Sequence, residues 1–296
     1  MNRPVLQERA VAAYLGLALG DALGATVEFL TPREIAQRHA RQGGVHREIT
    51  GGGWLNLRPG QVTDDTTMAL ALGAAILEEG GRVQPRAVAN AFDGWMRARP
   101  VDMGNTVRRG IVHFRRTGEP WVEPSADAGN GAAMRCLPVA LARVGADPEA
   151  RREAALAQAW VTHRNPLSDE ATCTLVTMLD LALGGADKAA LLAQADRLAL
   201  AQRDFAWRGR PMANPSGYIV DTMLAVFQAL AGTEGFEDCL VEVVNRGGDA
   251  DTTGAIAGML AGALYGPAAL PARWLDRLEP ATRQACESQA RALIDL

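Results

Sequence analysis

The dominant pattern along the chain is helical. Apolar residues recur at helical spacing, and the Val, Ile and Thr alternations that mark strands are few. Start signals punctuate the pattern. Thr31-Pro32-Arg33-Glu34 reads as a capping box with proline at the first helical position. Asp147-Pro148-Glu149 reads as a second N-cap followed by proline, and Pro85, Ser168, Ser216 and Pro280 open further apolar-periodic runs. About a dozen helices joined by Gly/Pro turns are expected. No linker rich in Pro, Ser or charge divides the chain and no fixed-period repeat appears, so residues 1–296 read as a single compact all-α domain.

Glycines modify this picture in two ways. Gly16, Gly20 and Gly24 fall four apart, as do Gly254, Gly258, Gly262 and Gly266. Residues four apart share a helix face, and each glycine costs a helix about 1 kcal/mol against alanine. Close helix packing is the expected return, bringing the start of the 252–265 helix near the centre of the chain. Glycines also mark three loops: Gly51-Gly52-Gly53-Trp54 through Pro59-Gly60, Asp127-Ala128-Gly129-Asn130-Gly131, and Asn245-Arg246-Gly247-Gly248.

Composition narrows the function classes. The chain is 48% hydrophobic and 22% charged with a net charge of −4, an ordinary globular balance without the basic excess of a nucleic-acid binder. Cys136, Cys173, Cys239 and Cys286 are far apart, so neither a disulfide framework nor a Cys-x-x-Cys pair is expected. The N-terminal residues lack a signal-peptide apolar core. The apolar run Ala255 to Tyr265 is shorter than the roughly 20 residues needed to span a bilayer. A cytoplasmic location without direct membrane insertion is expected.

Two acidic clusters carry the chemistry: Thr63-Asp64-Asp65-Thr66 and Asp249-Ala250-Asp251-Thr252. Each precedes an apolar run, Met68 to Leu77 and Ala255 to Leu264, so each sits at a helix N-terminus. Either alone reads as a helix cap. Together they read differently. Each has two carboxylates and threonine hydroxyls, follows a glycine-bearing loop, and leads into a helix apolar enough to be buried. Buried carboxylates are costly unless cations neutralise them. Oxygen-only ligands suit Mg²⁺ or Mn²⁺, and no Cys or His stands at zinc-ligand spacing. Four or more carboxylates exceed what one Mg²⁺ recruits, whereas two ions about 3.5–4 Å apart would fit a water-activating site.

At these residues the sequence resembles the ADP-ribosylglycohydrolase family, over nearly the whole chain. The motifs stand in family order: Gly20-Asp21-Ala22-Leu23-Gly24 with Glu28; Thr63-Asp64-Asp65-Thr66; Gly129-Asn130-Gly131-Ala132-Ala133-Met134-Arg135; Thr162-His163-Arg164; and Gly247-Gly248-Asp249-Ala250-Asp251-Thr252-Thr253-Gly254. Ala25-Thr26-Val27-Glu28-Phe29, Val101-Asp102-Met103-Gly104-Asn105-Thr106 and Tyr218-Ile219-Val220-Asp221-Thr222-Met223 look like the subgroup that acts on dinitrogenase reductase, the nitrogenase iron protein.

The resemblance implies an all-helical fold with a central cleft and a binuclear site, Mn²⁺ before Mg²⁺. By match, Thr63, Asp64, Asp65, Asp249, Asp251 and Thr252 would be metal ligands. The implied reaction is hydrolysis of the N-glycosidic bond between ADP-ribose and an arginine of the iron protein, restoring its activity. The implied regulator is a small trimeric nitrogen-signalling protein, through which the enzyme can be carried to the membrane.

Within that frame, Asp102 and Glu28 are the candidate catalytic carboxylates. Asp102 would act at C1 or the ring oxygen, where positive charge develops; as an alternative it caps the helix from about Asn105, and Glu28 as an alternative is a turn carboxylate after the helix ending near Gly24. Asn105, Asn130, Gly131, His163 and Tyr218 are the candidate substrate-binding residues. Gly129-Asn130-Gly131 would open a helix at about Ala132 and cradle the diphosphate, His163 would lie near the phosphates, and Tyr218 would stack on adenine or pack in the core. Trp54 would line the cleft mouth or form a packed lid. His39, His46 and His113 attract no role, and the cysteines read as structural. Arg108, Arg109, Arg115 and Arg116 form a basic helix, a solvated face or a contact for an acidic partner. Alternatives of other kinds are hydrolysis of serine-linked, poly- or acetyl-ADP-ribose, a two-metal phosphatase, and a non-catalytic ADP-ribose-binding relative.

Overall fold

A computed structural model describes residues 2–296; Met1, the first residue of the expected 1–296 domain, lies outside them. The described residues form fourteen α-helices and no strand. In chain order these are α1 (Arg3–Gly24), α2 (Pro32–Arg38), α3 (Asp64–Glu78), α4 (Pro85–Arg97), α5 (Asn105–Thr117), α6 (Leu137–Ala142) and α7 (Pro148–Ala159). Then follow α8 (Pro166–Leu183), α9 (Lys188–Ala201), α10 (Ile219–Gly232), α11 (Phe236–Val244), α12 (Ala250–Tyr265), α13 (Ala272–Leu275) and α14 (Pro280–Ile294). The all-α reading holds.

The cap signals divide instructively. Thr31 and Glu34 make both bonds of the capping box at α2, and the Asp147 carboxylate accepts from the Glu149 and Ala150 amides at α7. Pro85 and Pro280 open α4 and α14 as expected. Ser168 and Ser216 do not open helices. Asn165 caps α8 and Ser168 lies inside it, its hydroxyl donating to the Gly129 carbonyl at 2.9 Å. Ser216 precedes α10 and donates to Asp221 instead.

The centre is a pair of nearly all-buried helices, α1 and α12, packed antiparallel through glycine. A Cβ on Gly20 would stand 2.0 Å from the Gly254 carbonyl oxygen, and one on Gly16 2.2 Å from that of Gly258. Neither position admits any side chain, so the two backbones touch. Gly266 departs from the expected series: it lies beyond the end of α12, in a positive-φ conformation with open space around it. The close approach sets the C-terminal end of α1, with Asp21 and Gly24, beside the first turn of α12, with Ala250 and Asp251.

Candidate active site and metal centre

Neither N-cap residue caps its own helix, although Asp251 Oδ1 accepts from the Thr252 amide at 2.8 Å. Thr63 stands at the N-cap of α3 and Asp249 at that of α12, and neither side chain takes a cap hydrogen bond. For α3 the cap comes from another helix. The Asp21 carboxylate accepts from the Thr63 amide at 3.0 and 3.1 Å, from the Thr66 amide at 3.1 Å and from the Thr66 hydroxyl at 2.5 Å. The first-turn carboxylates Asp64 and Asp65 are thereby released from capping α3. Asp21 stands inside a quoted motif but received no role above. The available signal was a carboxylate in an otherwise apolar helical run, a placement that demands partners.

The two clusters meet. The Thr252 hydroxyl lies 3.4 Å from Asp65 Oδ2, and the Thr63 hydroxyl donates to the same oxygen at 3.2 Å. Asp64, Asp249, Asp251 and Thr252 face an open cleft of 400 Å³, while Thr63 and Asp65 are fully buried behind that lining. Glu28 and Asp102 face the same cleft, and Glu28, Asp102 and Asp251 each offer a carboxylate oxygen within 4.8 Å of the other two. The sequence reading kept Glu28 and Asp102 apart from the candidate metal ligands; the fold brings them to one of those candidates, Asp251.

Local backbone explains how Glu28 gets there. Phe29 adopts φ 61°, a left-handed conformation costly for a bulky residue, and is held there by its amide donating to the Gly248 carbonyl at 2.7 Å. Gly248 in turn donates to the Leu30 carbonyl. The turn after α1 is thus pinned to the loop before α12, with Glu28 inward and Phe29 outward against Trp54. Trp54 lines the cleft mouth, and its indole N–H donates to Glu28 Oε2 at 2.6 Å.

Asp102 is not a helix cap. Gly104 occupies the N-cap position of α5, and its amide points to Asp64 Oδ2 at 3.4 Å. Asn105 is exposed on the cleft wall. The expected helix at about Ala132 is absent: residues 131–135 form a turn, and α6 starts at Leu137. The Asn130 amide donates to the Gly217 carbonyl, and its side-chain amide donates to Asp249 Oδ2 at 2.6 Å and to the Thr222 hydroxyl. Those long-range bonds fix a turn where local sequence favoured a helix start. Gly131 remains on the cleft wall, but without a helix dipole behind it. Tyr218 is exposed rather than in the core, bridged to Gly129 at the cleft's edge.

His163 is buried on the cleft wall, its ring against Gly129 and Gly131. Its tautomer follows from its partners. Arg135 Nη2 donates to the Thr162 hydroxyl at 2.8 Å, and that hydroxyl lies 2.8 Å from His163 Nδ1. The hydroxyl has no other acceptor within reach, so its proton goes to Nδ1. His163 is therefore neutral with its proton on Nε2. Burial first, then the charges of Arg135 and Arg109, push its pKa down to about 3.

The carboxylates show the opposite strain. Burial first, and neighbouring carboxylates with it, raise Glu28 to about 8 and Asp64 to about 7, and burial raises Asp21 to about 6. Asp65, Asp249 and Asp251 are raised by the same burial. Among the described residues none of these six, nor Asp102, forms an ion pair with a basic side chain. Among the described residues Asp65 Oδ1, though buried, has no hydrogen-bond partner. Acids gathered without counter-charge, one with an orphaned oxygen, are a donor set that fits a divalent cation.

Comparison with known proteins agrees with this geometry. Residues 2–296 match the family model described as ADP-ribosylglycohydrolase. The chain is 48% identical to an ADP-ribosyl-[dinitrogen reductase] glycohydrolase of Rhodospirillum rubrum, covering 100% of this chain and 99% of that one. It is 34% identical to ADP-ribosylarginine hydrolase Tri1 of Pseudomonas putida, covering 97% of this chain and 78% of the relative. A solved structure titled ADP-ribosylglycohydrolase-related protein complex superposes with a TM-score of 0.87 at 37% identity, covering 99% of each chain. An all-helical frame, two acidic helix starts meeting at one cleft, and a family match along the whole described length lead to one statement: the chain belongs to the ADP-ribosylglycohydrolase family.

Proposed function

We propose that this protein, as one domain spanning residues 1–296, hydrolyses the N-glycosidic bond between ADP-ribose and an arginine of dinitrogen reductase. The observation that carries the reading is the meeting of the two acidic clusters, through Thr252 and Asp65, on a cleft that Glu28 and Asp102 also face. The 48% relative supports the protein substrate and the arginine hydrolase supports the linkage.

Asp64, Asp65, Asp249 and Asp251, with Thr63 and Thr252, would hold two divalent ions, Mn²⁺ before Mg²⁺; Glu28 and Asp102 stand close enough to contribute. Bound ions would supply a water of lowered pKa and a hold on the ribose hydroxyls. Hydrolysis breaks the C1–N bond, the electron pair leaving with the guanidine nitrogen. The water oxygen bonds to C1, and the proton it loses ends on the departing guanidine. Asp102 would stabilise the positive charge that develops on the sugar. Trp54 holds Glu28 by its indole N–H, keeping that carboxylate directed at the cleft. His163 Nε2–H and the Gly131 backbone would meet the diphosphate, and Asn105 on the cleft wall would add a polar contact to the substrate. Asn130 would act by holding Asp249, and Tyr218 would offer its exposed ring to adenine.

On the regulatory side, the reading includes a small trimeric nitrogen-signalling protein as partner, through which the enzyme would reach a membrane. Among the described residues no helix is long and apolar enough to cross one.

The test is side-by-side incubation of the Mn²⁺-loaded protein with arginine- and serine-linked ADP-ribosyl substrates. Release from arginine alone is expected. Release only from serine would replace this reading, and Asp249→Ala retaining full activity would overturn the metal assignment.

A further inference from the structure

The basic helix remains without a function. Its first turn, Asn105 to Val107, lines the cleft, and from there α5 runs outward along the surface. Its 13 residues include four arginines and no acid, in a chain whose net charge is −4. Arg108, Arg109 and Arg116 converge on one groove of 600 Å³ floored by Val112 and His113. Arg109 is paired with Asp127, which itself faces the cleft and accepts from Thr106. Arg115 is paired with Asp93. Arg108 and Arg116 are exposed and, among the described residues, have no acidic partner. Two uncompensated guanidiniums on a groove whose Arg109 bonds to Thr106 and Asp127 of the cleft wall create a positive field beside the cleft, where a protein carrying the scissile group must lie.

We propose that the α5 groove docks an acidic face of the ADP-ribosylated protein, next to its modified arginine, and sets the preference for a protein over a free ADP-ribosyl-arginine. This rests on the function proposed above. Guanidinium forks match carboxylates, and charges at an interface rim act on association rate and register. A small substrate lies within the cleft and makes no contact with the groove.

The experiment compares the Mn²⁺-loaded wild type with Arg108→Glu/Arg116→Glu on two substrates: ADP-ribosylated dinitrogen reductase and free ADP-ribosyl-arginine. On the protein, kcat/KM should fall by about tenfold or more at low salt, mainly through KM, and lose its dependence on ionic strength. On the free substrate it should stay within about twofold, since neither side chain reaches the cleft lining. A charge-matched control, Arg41→Glu/Arg291→Glu, should leave both substrates unchanged. An unchanged protein-to-small-substrate ratio in the α5 variant overturns the docking proposal alone, as does an equal loss in the control. A wild type that cleaves neither substrate overturns the functional reading and this proposal with it.

Discussion

The Asp21 carboxylate accepts a 2.5 Å hydrogen bond from the Thr66 hydroxyl, tying the end of α1 to the first turn of α3. It also receives the Thr63 and Thr66 amides, so one side chain caps a helix 42 residues further along.

Asp21→Ala removes that cap and leaves buried donors without a partner. The expected loss is about 3 kcal/mol of unfolding free energy, measured by denaturant titration with saturating Mn²⁺. Asp21→Asn, which retains an acceptor oxygen, should lose less. A loss under about 0.5 kcal/mol for the alanine variant would mean the cap is not structural.

The α1–α12 contact has no room for a methyl group. Gly20→Ala and Gly254→Ala each place a Cβ 2.0 and 2.5 Å from the opposing carbonyl oxygen, and the expected cost is about 3 kcal/mol or more. Gly94, inside α4 with open space around its Cβ position, is the internal control. Gly94→Ala should gain about 0.5–1 kcal/mol. Melting temperatures of the three variants decide the point; equal shifts would refute backbone contact as the cause.

Metal-free protein should lose stability as pH rises from about 6.5 to 8.5. In the folded state Glu28 is raised from 4.5 to about 8 and Asp64 from 3.8 to about 7. Their contribution is full below the unfolded values and is lost as pH rises through 7 and 8, because folding then traps charges that the unfolded chain solvates. His163 and His46 act in the other direction: lowered from 6.5 to about 3 and 4, they remove stability as pH falls below 6.5. Above 6.5 the carboxylates govern the slope. Saturating Mn²⁺ should raise the melting temperature and flatten that slope, while parallel pH profiles with and without metal would contradict the metal centre.

Nitrogen NMR of His163 should report the neutral Nε2–H form at pH 7 in the wild type. Thr162→Val removes the hydroxyl that hands its proton to Nδ1, freeing the ring to exchange tautomers. The expected consequence is a rise in KM for ADP-ribosyl substrates of about fivefold to tenfold, from a weakened phosphate donor, with Mn²⁺ affinity unchanged. An Nδ1–H signal in the wild type would reverse the assignment.

Much of the fold was readable because its signals are local. The Thr31–Glu34 box and the Asp147 cap are bonds between residues two or three apart, so the residues that form them stand next to each other in the text of the chain. The glycine spacing marked both helices for close packing for a related reason, since a helix converts a four-residue period into a face; that α1 and α12 pack on each other came from the fold. The aspartate clusters were visible as clusters, and their burial follows from the apolar runs behind them. What sequence alone left open is what depends on partners far along the chain. Ser168 was drawn away from capping by the Gly129 carbonyl, and Asn130 was held in a turn by Gly217, Thr222 and Asp249. Asp21 became the cap that frees Asp64 and Asp65, and Glu28 and Asp102 were delivered to Asp251. These outcomes were decided by tertiary packing, because a side-chain hydrogen bond or a shared ion gains its energy from distance in space. For the two acidic clusters that distance follows from α1 and α12 lying backbone to backbone.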